Sequence, residues 1–145
     1  MNSLSETDKA YLAGFIDGDG CIMVSHKKGT NSYAADVGVY QSDGKILFYL
    51  KDRWGAGNIY EHKQKRGRSY FRWNISNSQG AKLLEEILPY LRIKKLQAEG
   101  VIELERSKGR PGVRLSESDL EYREWIKQRI SDLNQGVLCG GDYAS

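Results

Sequence analysis

Cysteine and proline are scarce in this 145-residue chain, which contains two of each. Cys21 and Cys139 are far apart and neither belongs to a CxxC pair, which excludes a disulfide-stabilised scaffold and a cysteine-based zinc site. No apolar run approaches the ~18 residues that a membrane span needs. Residues 1–9 are polar and acidic, unlike a secretory signal or an arginine-rich transit peptide. We therefore expect an intracellular protein of a reducing compartment, either the cytoplasm or an organelle.

The residues that are present are typical of one soluble, globular domain. Apolar residues make up 39% of the chain and charged residues 28%, and a chain of this length can bury a sizeable core. We find no internal repeat and no linker. We expect one domain over residues 1–145, with a core at about 5–106, a helical extension at about 107–135 and a loose tail at 136–145.

Positive charge is concentrated in the middle of the chain. Residues 26–72 contain ten Lys or Arg and four Asp or Glu, a net charge near +6, although the whole chain carries only +3. A segment this basic favours a polyanionic partner such as nucleic acid. The alternative is an ordinary solvated surface that binds nothing anionic.

Hydrophobic periodicity and turn residues predict the element order α-ββ-α-ββ-α-α-α. Ser5, Ser78 and Ser116 are candidate helix N-caps. The order predicts an α+β domain with an antiparallel sheet backed by helices, and Trp54, Trp73 and Trp125 are expected in its core. The helices are expected at 5–20, 43–54, 78–89, 93–106 and 116–133, with strands at 21–28, 33–41, 58–64 and 69–76 and a loop at 109–112.

Side chains alternate in character along the predicted strands, and successive strand residues face opposite sides of a sheet. The fourth strand alternates apolar Phe71, Trp73 and Ile75 with Tyr70, Arg72 and Asn74. The other strands alternate in the same way. The pattern predicts one apolar face that meets the helices and one polar, basic and aromatic face. A ribbon of this kind fits the major groove of DNA, and an ordinary exposed sheet face is the alternative.

The alternation also selects candidate DNA-contacting residues. Candidates on the polar face are Met23, Ser25, Lys27, Asp36, Tyr40, Tyr60, His62, Gln64, Tyr70, Arg72 and Asn74. The hairpin turns add Lys28, Lys65, Arg66 and Arg68 as candidate phosphate contacts, which contribute affinity but little sequence information. The alternation places His26 on the core side of the sheet. Cys21 either contacts DNA near the cut or is an inert buried thiol.

The segment Leu12-Ala-Gly-Phe-Ile-Asp-Gly-Asp-Gly20 combines a small-residue helix with two carboxylates. It places Asp19 at the C-terminal end of the predicted helix, where the helix dipole disfavours an acid and a divalent cation would offset that cost. A simple turn is the alternative. An EF-hand beginning at Asp17 is excluded, because Ile22 and Lys28 stand where Gly and Glu are required. A phosphate-binding loop is excluded because no Gly-Lys-Ser/Thr follows.

This nine-residue segment closely resembles the signature of LAGLIDADG homing endonucleases. The α-ββ-α-ββ-α order matches the fold of that family, over about residues 5–106. A second segment, Leu88-Pro-Tyr-Leu-Arg-Ile-Lys-Lys-Leu-Gln97, is similar to the one that supplies the family's catalytic lysine. The resemblance implies metal-dependent hydrolysis of both strands of a long DNA site, and therefore a compartment that contains the target genome.

The resemblance also implies roles for individual residues. Asp19 would bind metal, with the Gly18 carbonyl as a second ligand; Mg²⁺ suits these oxygen ligands, and Mn²⁺ or Ca²⁺ can substitute. Gln41 would position water, while Lys45 and Lys94 would supply positive charge, with Lys95 as the rival of Lys94. The motif helix would pack against a second motif helix through Ala10, Ala13, Gly14 and Asp17.

The motif occurs once in the chain. Within the family, single-motif chains act as homodimers, so we expect a two-fold symmetric dimer on a near-palindromic double-stranded DNA target. An RNA maturase or a DNA-binding regulator that keeps the fold without cleavage is the alternative. A basic structural domain that dimerises through a small-residue helix is a third hypothesis, but it leaves the polar face, Gln41 and Lys94 unexplained.

Overall fold

A computed structural model describes residues 3–109 and 115–136 of the chain. The described part folds as one four-stranded antiparallel sheet with five helices, which confirms the predicted α+β class and element order. The predicted loop at 109–112 lies mostly outside the described residues, as do Cys139 and nearly all of the predicted tail. The elements are α1 Glu6–Asp19, β1 Gly20–His26, β2 Tyr33–Gln41, α2 Gly44–Trp54, β3 Asn58–His62, β4 Tyr70–Ser76, α3 Asn77–Ile87, a 3₁₀ turn Leu88–Tyr90, α4 Lys95–Ser107 and α5 Glu117–Asn134.

The sheet has the strand order β1-β2-β4-β3, and its register separates two faces. Ile22 pairs with Val37, and Val37 pairs with Ile75, so the same face continues across three strands. These side chains and those of Val39 and Trp73 are completely or almost completely buried. The core therefore lies between this face and the helices, and the predicted apolar face is confirmed.

Local sequence sets where the helices begin and end. The Ser5 hydroxyl accepts a hydrogen bond from the Asp8 amide at the start of α1, and Ser116 forms a capping box with Asp119 at the start of α5. Gly55 ends α2 in the left-handed conformation at φ 87°, which a residue without Cβ adopts without strain. The caps at Ser5 and Ser116 confirm the sequence prediction.

The predicted cap at Ser78 is wrong, because α3 begins two residues earlier. Ser76 is the N-cap, and Ser78 lies in the first turn of the helix. Asn77 has a φ of 52°, and its side-chain oxygen accepts a hydrogen bond from the Ala35 amide at 3.0 Å. A hydrogen bond from β2 to the first residue of α3 thus fixes the turn after β4, and a contact between residues 42 positions apart has no local sequence signal.

Helix α5 covers the edge strand β1 and the adjacent helix α4. The Asn134 side-chain amide donates to the Ile22 carbonyl at 2.8 Å. Arg123 is buried and donates to the Ser107 carbonyl at 2.8 Å, where α4 ends. Covering the edge of a sheet removes a strand that would otherwise be free to pair with another chain.

The prediction that Trp125 lies in the core is wrong, whereas Trp54 and Trp73 are buried as predicted. Helix α5 faces the core through Arg123, Ile126, Ile130 and Leu133, which are spaced by three or four residues. Trp125 is one position away from Ile126, about 100° around the helix, and is 57% exposed. None of the described helices is long and apolar enough to cross a membrane.

Candidate metal and nucleic-acid site

The two carboxylates in the last turn of α1 have different environments. Asp17 is half-buried and accepts hydrogen bonds from the backbone amides of Arg92 at 2.9 Å and Lys94 at 3.0 Å. Asp19 is exposed and makes no side-chain hydrogen bond to the described residues. Asp17 is thus committed to joining α1 to the start of α4, and Asp19 is available to a ligand.

Lys94 approaches the same helix end with its side chain. Its ammonium group donates to the carbonyls of Ile16, at 2.8 Å, and of Gly20. The last carbonyls of a helix have no partner within the helix and carry partial negative charge, so a cation is favourable here. Lys94 therefore places a positive charge on the turn that carries Asp19. Its rival Lys95 is exposed at the first residue of α4.

A shallow groove of about 470 Å³ brings the motif helix and the end of β2 together. Gln41 is the last residue of β2, and its side-chain oxygen accepts a hydrogen bond from the Ser42 amide at 2.8 Å. Lys45 does not line the groove and is exposed in the first turn of α2. The groove is lined by Ala10, Tyr11, Gly14, Phe15, Gly18, Asp19 and Gln41.

The donor atoms of this groove fit a hard divalent cation that keeps most of its water. Nowhere in residues 3–109 and 115–136 do three His, Cys, Asp or Glu side chains gather as a ready-made metal site. The groove offers the exposed Asp19 carboxylate and the Gly18 carbonyl, which is one of the last four of α1 and so lacks a partner within the helix. Mg²⁺ binds through one or two carboxylates together with waters and phosphate oxygens. One chain therefore provides only part of a coordination sphere.

An open stripe of small residues runs along α1 and forms part of the lining of the groove. Ala10, Gly14 and Gly18 are exposed, and a Cβ atom placed on either glycine would meet no atom of the described chain within 4 Å. Packing within the chain therefore does not require glycine at these positions. The prediction that Ala13 shares this surface is wrong, because Ala13 is 0% exposed and packs in the core of its own chain. It lies one position, about 100° around the helix, from Gly14.

The opposite face of the sheet carries polar and aromatic side chains in cross-strand rows. Tyr40 of β2, Arg72 of β4 and Tyr60 of β3 form one row. His62 stacks on Tyr70 with ring centroids 4.8 Å apart, and the Arg72 guanidinium carbon lies 5.3 Å from the centre of the Tyr40 ring. This face is polar and aromatic, as the alternation predicted, but Arg72 is its one Lys or Arg within β1–β4, and the other predicted basic contacts lie in the hairpin turns.

The strand register places the candidate DNA-contacting residues more finely than the alternation could. Cys21 pairs with Gly38 on the polar face, and its thiol is half-buried. Asn58 and Ser76 also lie on this face, but the sequence prediction did not include them. The alternation could have found both, because Asn58 is two positions before Tyr60 and Ser76 is two positions after Asn74. Within β1–β4 the polar face holds Met23, Ser25, Asp36, Tyr40, Tyr60, His62, Tyr70, Arg72 and Asn74, and the exposed hairpin turns hold Lys27, Lys28, Gln64, Lys65, Arg66 and Arg68.

Solved structures of similar fold contain the same arrangement of sheet and helices. One such structure is I-CvuI in complex with the I-CreI target, solved in the presence of 2 mM Mg with the DNA not cleaved. Its TM-score is 0.71 at 25% identity, and the match covers 88% of this chain and 82% of that chain. The archaeal intron-encoded homing endonuclease I-Vdi141I, complexed with DNA, gives 0.73 at 18% identity, with 88% and 84% covered. I-SmaMI, bound to cleaved DNA, gives 0.61 at 24% identity, and the chain covers only 44% of it.

Sequence comparison assigns the family. The DNA endonuclease I-CvuI of Chlorella vulgaris is 34% identical over 102 residues, which make up 66% of this chain and 62% of that protein. The chain thus matches less than two thirds of that relative's length. The family described as LAGLIDADG endonuclease matches residues 12–108. A match of that extent, on a fold with the motif helix beside a four-stranded sheet, shows that the chain belongs to the LAGLIDADG endonuclease family.

Proposed function

We propose that the protein is a homing endonuclease that hydrolyses both strands of a long, near-palindromic double-stranded DNA target as a homodimer with bound divalent metal. The observation that carries this proposal is the groove that the exposed Asp19, Gly18 and Gln41 line together with the open stripe of α1. The family membership and the DNA-bound relatives support it. The polar, aromatic sheet face and its basic hairpin turns supply a surface for the duplex.

Asp19 and the Gly18 carbonyl would hold the metal, with Mg²⁺ as the favoured ion. When bound, such an ion activates water as a nucleophile and stabilises the leaving 3′ oxygen. Among the similar structures, I-CvuI is described in complex with DNA in the presence of calcium and of magnesium. One carboxylate in each chain suits a site in which water and phosphate oxygens complete the coordination.

Lys94 and Gln41 would act on either side of that carboxylate. The Lys94 ammonium neutralises the carbonyls of Ile16 and Gly20, so it lowers the electrostatic cost of a carboxylate and of developing phosphate charge at this helix end. Gln41 presents an amide to the groove and would orient the attacking water. Lys45 would contribute only long-range positive charge, because it stands outside the groove.

The open stripe of α1 supports a two-chain enzyme. A Cβ-free surface at Gly14 and Gly18 lets a second helix approach closely, and one chain provides only part of a coordination sphere. The chain also covers less than half of I-SmaMI, so that relative has room for two such units. A two-fold symmetric dimer would read a near-palindromic target, because site symmetry follows protein symmetry.

The sheet face and the hairpin turns would divide recognition of the duplex. Side chains on β1–β4 face the major groove and contact base edges. The exposed turn residues Lys27, Lys28, Lys65, Arg66 and Arg68 would contact phosphates.

A cleavage selection tests the proposal. Purified protein is incubated with Mg²⁺ and a pool of randomised duplex DNA, and the cut ends are sequenced beside an EDTA-treated control. We expect metal-dependent cuts in both strands within one long, near-palindromic sequence. Enrichment of bound DNA without cuts would contradict the nuclease and favour a regulator, whereas preferential binding of structured RNA would favour a maturase.

A further inference from the structure

We infer that Arg72 reads a guanine in each half of the target and that Asp36, Ser76 and Asn74 are positioning residues that orient it. The inference rests on the proposed function, because it takes the sheet face to lie in the major groove. It assigns specificity to one side chain of that face. It also removes two predicted base contacts, Asp36 and Asn74, from direct recognition.

A directed chain of hydrogen bonds crosses β2 and β4. The Asp36 carboxylate accepts from the Ser76 hydroxyl at 2.6 Å and from the Asn74 amide nitrogen at 3.1 Å. The same amide nitrogen lies 3.0 Å from the Ser76 hydroxyl. Because a carboxylate can only accept, it fixes which end of the Asn74 amide faces it. The Asn74 carbonyl oxygen is therefore turned away, and it accepts from Nη2 of Arg72 at 2.7 Å.

Two neighbours hold the guanidinium plane of Arg72 against the sheet. The ring of Tyr40 lies beside it, at 5.3 Å from the guanidinium carbon. Gly38 lies beneath it, where a Cβ atom would be only 3.0 Å from Nε of Arg72. The Nε–H group is buried there and finds no acceptor in residues 3–109 and 115–136. A buried, unpaired donor is unfavourable for stability, so this orientation calls for another explanation.

The atoms left free on Arg72 match guanine. One Nη2 hydrogen goes to Asn74, and Nη1 makes no hydrogen bond within the described residues. Nη1 and the second Nη2 hydrogen form a planar pair of donors, which fits the O6 and N7 acceptors of guanine in the major groove. Asn74 cannot offer adenine its usual bidentate pair, since both ends of its amide are already engaged.

The test compares cleavage selections for the wild type, Arg72→Lys, Gly38→Ala and Asp36→Ala, with Arg129→Lys on α5 as the matched control. For the wild type we expect guanine at one position in each half-site, favoured about tenfold to a hundredfold over other bases. Arg72→Lys keeps the charge but loses the planar pair of donors. Gly38→Ala displaces the guanidinium through its new Cβ. Asp36→Ala releases Asn74. All three should relax preference at that same position, and Arg129→Lys should not.

Three outcomes would overturn the inference. Unchanged guanine preference in Arg72→Lys would exclude Arg72 as the reader. Altered preference at a different base pair in Asp36→Ala would make Asp36 a base contact in its own right. A uniform loss of affinity across sequences would make Arg72 a phosphate contact. Failure of the proposed function is distinguishable, because the wild type and the Arg129→Lys control would then give no metal-dependent cuts.

Discussion

At the scale of single residues, the end of α1 shows how backbone position gives identical side chains different uses. Asp17 and Asp19 are two positions apart, about 200° around a helix, so one faces the start of α4 and the other faces solvent. The two carboxylates and the last carbonyls of α1 give this helix end negative character. The Lys94 ammonium offsets that charge from inside the chain, and a bound cation would do so from outside.

Replacement of Asp19 by Asn should abolish cleavage and preserve DNA binding, since it removes a metal-binding charge but keeps the side-chain shape. A metal contributes several kcal/mol to transition-state stabilisation, so we expect at least about a thousandfold loss of rate. Single-turnover cleavage and a binding titration measure the two effects separately. The control is Asp132→Asn, which also replaces an aspartate in the last turn of a helix, here α5. Cleavage by Asp19→Asn at the wild-type rate would remove Asp19 from the site.

Replacement of Lys94 by Met should lower both stability and activity. It removes a charged donor from the carbonyls of Ile16 and Gly20, which we expect to cost about 1–2 kcal/mol of unfolding free energy. Urea unfolding gives the first effect, and single-turnover rates at saturating DNA give the second. Lys95→Met changes the adjacent exposed lysine and should alter neither. Equal effects of the two variants would show that only net charge matters.

At the scale of elements, α5 is fastened to the sheet by polar contacts as well as by its apolar stripe. The Tyr33 hydroxyl donates to the Glu124 carboxylate at 2.6 Å, joining β2 to the middle of α5. Burial raises the pKa of Tyr33 to about 12, and the bond to Glu124 adds to that rise. The same hydrogen bond holds the pKa of Glu124 below its usual value. The fold therefore stabilises Tyr33 in its protonated form and Glu124 in its ionised form, and in these forms the hydrogen bond holds α5 on the sheet.

The raised pKa of Tyr33 predicts a loss of stability in alkali. The unfolded chain releases this proton near pH 10, while the folded chain keeps it to about pH 12. The contribution is therefore complete below pH 10 and is lost as the pH rises toward 12. Tyr33→Phe should be about 1 kcal/mol less stable at neutral pH, and the gap to the wild type should close in alkali. Urea unfolding of both proteins from pH 7 to 11 measures this difference in unfolding free energy. A difference that does not change with pH would show that the Tyr33 hydroxyl does not contribute in this way.

At the scale of the whole molecule, the chain presents two surfaces of different kinds. The polar sheet face carries charged side chains and aromatic rings, whereas the α1 stripe consists of alanine and glycine, which have little or no side chain. The second surface is unusual because glycine in a helix interior is unfavourable unless something approaches closely. None of the described residues comes within 4 Å of a Cβ atom placed on Gly14 or Gly18. The geometry therefore suits a second copy.

Gly14→Leu tests the hypothesis that a second copy packs on this stripe, and it should not destabilise the single chain. A Cβ atom added at Gly14 meets no described atom within 4 Å, and leucine favours a helix by about 0.8 kcal/mol over glycine, so the variant should be at least as stable. It should nevertheless be monomeric in sedimentation equilibrium, whereas the wild type should be a dimer. Lys82→Leu adds the same side chain to the exposed face of α3 and should leave the dimer intact. A dimeric Gly14→Leu would move the interface elsewhere.

Local patterns in the sequence determined the class of fold and the position of its motif. Alternation in β4 separated Trp73 from Arg72, and hydroxyl caps marked the starts of α1 and α5, because these signals depend only on neighbours along the chain. The motif of residues 12–20 was equally local, and it pointed to Asp19 before any contact was known. The pairing of Ile22 with Val37 and of Val37 with Ile75 then followed the predicted faces.

Only the tertiary structure decided what each side chain meets. Periodicity could not separate Trp125 from Ile126 or Ala13 from Gly14, since neighbours on a helix differ by about 100° and the packing partner selects the buried side. Nor could it show that the Lys94 ammonium contacts the carbonyls of Ile16 and Gly20, 78 and 74 residues away along the chain. Contacts at such separation depend on how the elements pack. The sequence therefore determined which groups the protein carries, and the packing determined which of them work together.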